Sequence, residues 1–174
     1  MESSRFLAGF ATRRKAELHL HLEGSVAPAT LVALSRRNES GRFSSREAVL
    51  SRRAFSGFRD FLDLYRDVCR ELRGPADYAL LARDLVRRLR RERIVHAEVY
   101  VSPALVERFG FSWPGVAEAI ENVFARHERG GFGTIRVLYD SVRQWGPETA
   151  HRVLDLAERH PWPRAVGFGL GGDE

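Results

Sequence analysis

Two histidines stand two residues apart in Ala16–Ser25, AELHLHLEGS. In an extended chain successive side chains point to opposite faces, so Leu18, Leu20 and Leu22 share one face and Glu17, His19, His21 and Glu23 the other. One face is apolar, and the opposite one holds only ionisable groups. Either that second face meets water or it lines a site. Two imidazoles at this spacing can converge on a single ion, and neutral imidazole is a common ligand for zinc and related divalent metals. A catalytic zinc needs about three protein ligands and an open position for water. His19 and His21 supply two at most, and a bare His-x-His is more often structural.

The elements that would position these residues alternate. Strand patterns at Ala16–Leu22, Ile94–Ser102, Thr134–Val142 and Ala165–Gly172 are separated by helical patterns. The helices are expected over Pro28–Arg37, Phe58–Leu72, Pro75–Glu92, Pro114–His127 and Pro147–His160, with loop from Asn38 to Arg46. Pro103 is read as the stop of the second strand. That strand repeats the arrangement of the first: Val95, Ala97, Val99 and Val101 alternate with His96, Glu98, Tyr100 and Ser102.

Strand–helix alternation argues for an α/β fold with a parallel sheet. A doubly wound sheet is covered on both faces and so should be apolar on both. A (β/α)8 barrel tolerates polar side chains on its inner face near the strand ends. The polar faces therefore favour a barrel, yet a full barrel needs about 250 residues and eight strands. The chain has 174 residues and four strand patterns. The expectation is the N-terminal half, about four βα units, of a TIM-type (β/α)8 barrel over residues 15–174. Residues 1–14 form a short basic leader, expected to be poorly ordered rather than a transit peptide.

Composition narrows the function classes. An apolar content of 44% and a charged content of 29% fit a soluble globular chain, and no apolar run reaches transmembrane length. The net charge of +5 invites a nucleic-acid partner. However, Lys15 is the only lysine, and the arginines alternate with acidic and apolar residues along helices without interleaved aromatics. Neither nucleic acid nor membrane is expected as a partner. The single cysteine, Cys69, excludes an internal disulfide, suits a reducing compartment and falls at a core position of its helix. The expected location is the cytoplasm.

The segment HLHLEGSVAPATLVAL resembles the opening of the adenosine deaminase family, among the metal-dependent amidohydrolase barrels. FSGFRDFLDLY, VHAEVYVSP and VGFGLGGDE match that family in the same order. The resemblance implies that His19 and His21 are the first two ligands of zinc or another divalent transition metal. It implies that Glu23 contacts the sugar of a nucleoside and that the backbone of Gly172 lies against the purine ring. Phe58 and Leu62 fall where the family lines its pocket with an apolar helix. The implied reaction is hydrolytic, with metal-bound hydroxide attacking the amino-bearing ring carbon and ammonia leaving. The Cys-x-x-Cys type of zinc deaminase is excluded by the lone cysteine.

Two departures qualify the resemblance. The family carries an aspartate where this chain has Gly169. Its third metal-binding histidine, glutamate acid/base, second catalytic histidine and metal-binding aspartate all fall beyond Glu174. No catalytic acid/base is therefore expected within these residues. His96 faces the polar side of its strand, and His127, His151 and His160 are read as surface residues.

Three readings follow. The first is the N-terminal half of a purine or purine-nucleoside deaminase, inactive alone, with a small-molecule purine as its substrate. The second is a non-catalytic shortened homologue that pairs with a complementing half, or with itself, through open sheet edges. The third is a complete small α/β binding domain that takes no metal.

Overall fold

A computed structural model describes residues 9–172. The alternating segments become four strands: β1 (Lys15–His21), β2 (Ile94–Val101), β3 (Thr134–Val142) and β4 (Ala165–Gly171). A short 3-10 turn, Glu23–Ser25, follows β1. Then come α1 (Pro28–Arg37), α2 (Arg46–Ser51), α3 (Phe58–Cys69) and α4 (Pro75–Arg91). Between β2 and β3 lie α5 (Pro103–Arg108) and α6 (Trp113–Arg129), and α7 (Pro147–Arg159) leads into β4. Of the leader, residues 1–8 lie outside the described residues, and residues 9–12 are helical.

All pairings are parallel and the strand order is β1-β2-β3-β4. Each strand is added on the same side of its predecessor, so the sheet lacks the reversal that defines a doubly wound fold. This is the winding of the N-terminal half of a (β/α)8 barrel. Among the described residues, the outer edges of β1 and β4 have no strand partner.

The outward faces of the middle strands supply the sheet side of the core. Ala97, Val99, Val101, Ile135, Val137 and Tyr139 are buried against Leu81, Leu85, Val116, Ile120, Phe124 and Val153 of the helices. Each fully buried aliphatic side chain contributes about 1.5–3 kcal/mol. A carboxylate at Val99, unpaired where sheet and helices meet, is expected to unfold the domain.

The outer face is not uniformly covered. Leu20 and Leu22 pack as expected, but Leu18 is 58% exposed: the pairing of β1 with β2 shifts register between Glu17, opposite Ala97, and Leu20, opposite Val99, so the expected alternation breaks there. Val166, Phe168 and Leu170 on β4 are exposed likewise.

Serine caps account for two helices that the sequence reading missed. The Ser45 hydroxyl accepts from Ala48 N and opens α2 inside the expected loop; the Ser102 hydroxyl accepts from Leu105 N, and Pro103 starts α5. Pro103 therefore begins a helix where it was expected only to end a strand.

Candidate metal centre and substrate pocket

The strands deliver His19, His21 and Asp140 to the C-terminal end of the inner face. The His19 and His21 rings are 5.4 Å apart between centroids. Tyr100, from the neighbouring β2, stacks on both, at 4.7 Å from His19 and 5.1 Å from His21. Tyr65 of α3 meets His21 edge-on at 6.2 Å. Its hydroxyl donates to Glu23 Oε2 at 3.2 Å. Glu23 is completely buried in the turn after β1, and its Oε1 has no partner among the described residues.

On the polar face of β1, His19 is exposed and His21 half-buried, while Glu23 beyond the strand is fully buried. Burial pushes the Glu23 carboxyl up to about 7, against the opposing pull of backbone hydrogen bonding and of His21. Burial alone would lower His21. The hydrogen bond and charge of Asp140, with the charge of Glu23, outweigh that and leave its pKa raised.

Asp140 is the group that sequence reading missed. It is 6% exposed on the inner face of β3, with Oδ2 at 3.4 Å from His21 Nδ1. Its signal was available: in TIRVLYDSV it is the one acidic residue in an otherwise largely apolar strand. It pairs in register with Gly169 of β4.

The glycines of β4 make room for this layer. A Cβ on Gly169 would lie 2.7 Å from the Tyr100 ring, and one on Gly171 3.1 Å from Asp140 Oδ2. Gly172 has φ +122°, and a Cβ there would collide with Gln144.

The remaining residues fall into place unevenly. Phe58 is 56% exposed and stacks on Phe61, and Leu62 is half-buried on the same helix. A cavity of about 180 Å³ beside Gly24 is lined instead by Phe61, Leu64, Tyr65 and Val68 of α3. His96 lies at the opposite end of the sheet, with Nδ1 2.8 Å from Thr134 Oγ1. His151 and His160 are exposed, but His127 is buried, correcting its surface reading. It ends α6 under Phe132 and accepts from Arg90 Nε, so burial and the Arg90 charge lower its pKa. Cys69 is buried as expected.

As nitrogen donors, His19 and His21 suit a borderline-soft divalent metal. They form an incomplete set: no cluster of three or more such donors occurs among the described residues. The two imidazoles could supply two ligands to such a metal, whose remaining ligands would have to come from elsewhere.

Comparison with known proteins agrees with this architecture. The family model described as adenosine deaminase matches residues 14–174. The chain is 32% identical over 173 residues to an aminodeoxyfutalosine deaminase of Streptomyces coelicolor, covering 97% of this chain and 44% of that protein. It is 29% identical to an adenine deaminase of Chelativorans sp., covering 92% and 49%. Among solved structures, an adenine deaminase from Arthrobacter aurescens superposes with a TM-score of 0.83 at 26% identity, covering 92% of this chain and 49% of that one. An amidohydrolase from Burkholderia ambifaria with bound zinc has the same TM-score at 24% identity, covering 96% and 46%, a likeness of fold. The chain spans about half the length of the curated relatives it matches. It belongs to the adenosine deaminase family.

Proposed function

We propose that this chain is the N-terminal half of a hydrolytic purine deaminase, supplying two of its metal ligands. The observation that carries the reading is the pair His19 and His21, side by side on the inner face and flanked by two buried carboxylates, Glu23 and Asp140. Their nitrogens would hold zinc or another divalent transition metal, which when bound lowers the pKa of water toward neutrality. Glu23 and the Gly172 backbone would meet the purine or its sugar, with Phe58 and Leu62 at the mouth. Tyr65 holds Glu23 in place, and Tyr100 fixes both imidazole planes. The relatives named for adenine and aminodeoxyfutalosine support a purine substrate class.

No group among the described residues is placed as acid/base, so the 174-residue chain alone is expected to be inactive. Ammonia release from adenosine, adenine and aminodeoxyfutalosine by the metal-loaded chain tests this. The expected result is no turnover alone and recovery on mixing with a separately produced C-terminal half. Turnover by the chain alone would refute the claim that essential groups are missing.

A second reading is a non-catalytic homologue that closes its barrel with another chain or a second copy. Leu18, Val166, Phe168 and Leu170, exposed on the two edge strands, favour it. Binding of a C-terminal half without recovered turnover would select it. No described helix is long and apolar enough to cross a membrane. The lone, buried Cys69 fits the reducing cytoplasm.

A further inference from the structure

Asp140 buries a carboxylate whose Oδ1 takes no hydrogen bond among the described residues, while Oδ2 lies 3.4 Å from His21 Nδ1. Such a group is costly to bury unless it acts on a neighbour. The surroundings make His21 that neighbour. Tyr100 covers one face of the imidazole and Tyr65 meets it edge-on, so the ring is held on two sides besides the carboxylate. Gly171 leaves the space into which Oδ2 projects, since a Cβ there would stand 3.1 Å from it.

Neutral imidazole carries one N–H, and the hydrogen bond made by one nitrogen decides which form the ring adopts. We infer that Asp140 is a positioning residue for His21: Oδ2 accepts the Nδ1–H, fixes that tautomer, and leaves the Nε2 lone pair free for a metal inside the barrel. A carboxylate behind a ligating histidine is a recurrent way to orient the ring and raise its basicity, and its loss weakens metal binding by about 10–100-fold. Register gives the arrangement its place in the fold. Asp140 on β3 faces Gly169 on β4, so this level of the inner face keeps one carboxylate, supplied by β3.

The inference rests on the metal reading only for what Nε2 receives; the tautomer is observable without metal. The test is imidazole nitrogen NMR on the 15N-labelled, metal-free full chain, followed to a pH at which the His21 ring is seen to be neutral. Wild type should show His21 protonated at Nδ1. Asp140→Ala should shift it to the Nε2–H form that an unconstrained imidazole prefers. Asp140→Asn, whose amide oxygen can still accept, should retain Nδ1–H, and it serves as the reporter if the alanine variant does not fold. Zinc competition against a chromophoric chelator should then show affinity falling by about tenfold or more in Asp140→Ala. An Nε2–H form in wild type, or an unchanged tautomer in Asp140→Ala, overturns the inference. An Nδ1–H tautomer that depends on Asp140, in a chain that takes no zinc, upholds the positioning role and refutes the metal reading instead.

Discussion

Both ends of the sheet bury charge, but only one end satisfies it. At the N-terminal end Arg164 is 7% exposed and is surrounded by acceptors. Its Nε and Nη2 donate to Glu121, and its Nη1 to Glu128 and to the Ile135 carbonyl. Trp162 donates to Glu121, and Ile135 N to Glu128. At the C-terminal end Glu23 and Asp140 each keep one buried oxygen without a partner among the described residues. Complete pairing suits a structural cluster, whereas a buried polar atom left short calls for a partner or an explanation. The division follows the barrel plan, with stability at the bottom and chemistry at the top.

The comparison breaks most sharply at Arg164. Arg164→Met should cost about 2–3 kcal/mol in urea unfolding, because two carboxylates lose their partner while remaining partly able to reach water. Zinc affinity at the other end should not change. An equal loss of zinc would show that the two ends are not independent.

The pH dependence separates the ends by sign. Arg164 holds Glu121 below its ordinary 4.5; at Glu128 burial pushes upward, but the Arg164 hydrogen bond prevails and the net shift is also downward. Their contribution is present above pH 4.5 and fades as pH falls further. Glu23 is raised from 4.5 to about 7, so its folded form holds a proton that the unfolded chain has lost. Its contribution is present below pH 4.5 and is lost as pH rises toward about 7. The raised His21 adds to that slope at higher pH, being fully stabilising below 6.5 and less so through its folded pKa. Glu23→Gln should stabilise the metal-free protein by about 2 kcal/mol at mildly alkaline pH and flatten its slope between 4.5 and 7. Urea midpoints measured across pH check both effects; an unchanged slope would mean that Glu23 titrates normally.

Smaller changes sharpen the contrast. Tyr65→Phe removes the side-chain hydrogen bond to Glu23 and should cost about 1 kcal/mol, with the carboxyl moving further up in a 13C NMR titration. Leu18→Lys with Phe168→Lys should alter stability by only about 0.5 kcal/mol and reduce self-association in sedimentation velocity. Association unaffected by both charges would remove the support for pairing through those strands.

The sheet was legible because period-two alternation follows directly from strand geometry, and the split between apolar and polar faces distinguished a barrel from a doubly wound sheet. The ends of elements were less so. Ser45 and Ser102 cap helices through single side-chain bonds, a local signal hidden beneath the apolar pattern. At the site, spacing placed His19, His21 and Glu23 on one face, and the roles expected of them came from the family resemblance. Asp140 showed only as a lone acidic residue in its strand; its approach to His21 depends on β3 and β1 meeting across the inner face although they are not adjacent in the sheet. His127 was misjudged for a related reason: its burial comes from Arg90 and Phe132, on other elements.

The central claim is that His19 and His21 are the metal ligands this chain contributes. Equilibrium zinc binding to the purified chain, with His19→Ala and His21→Ala measured beside it, tests that most directly. The account predicts that wild type binds zinc more tightly than either variant, each still folded by circular dichroism. Zinc held equally well by the folded double variant would contradict it.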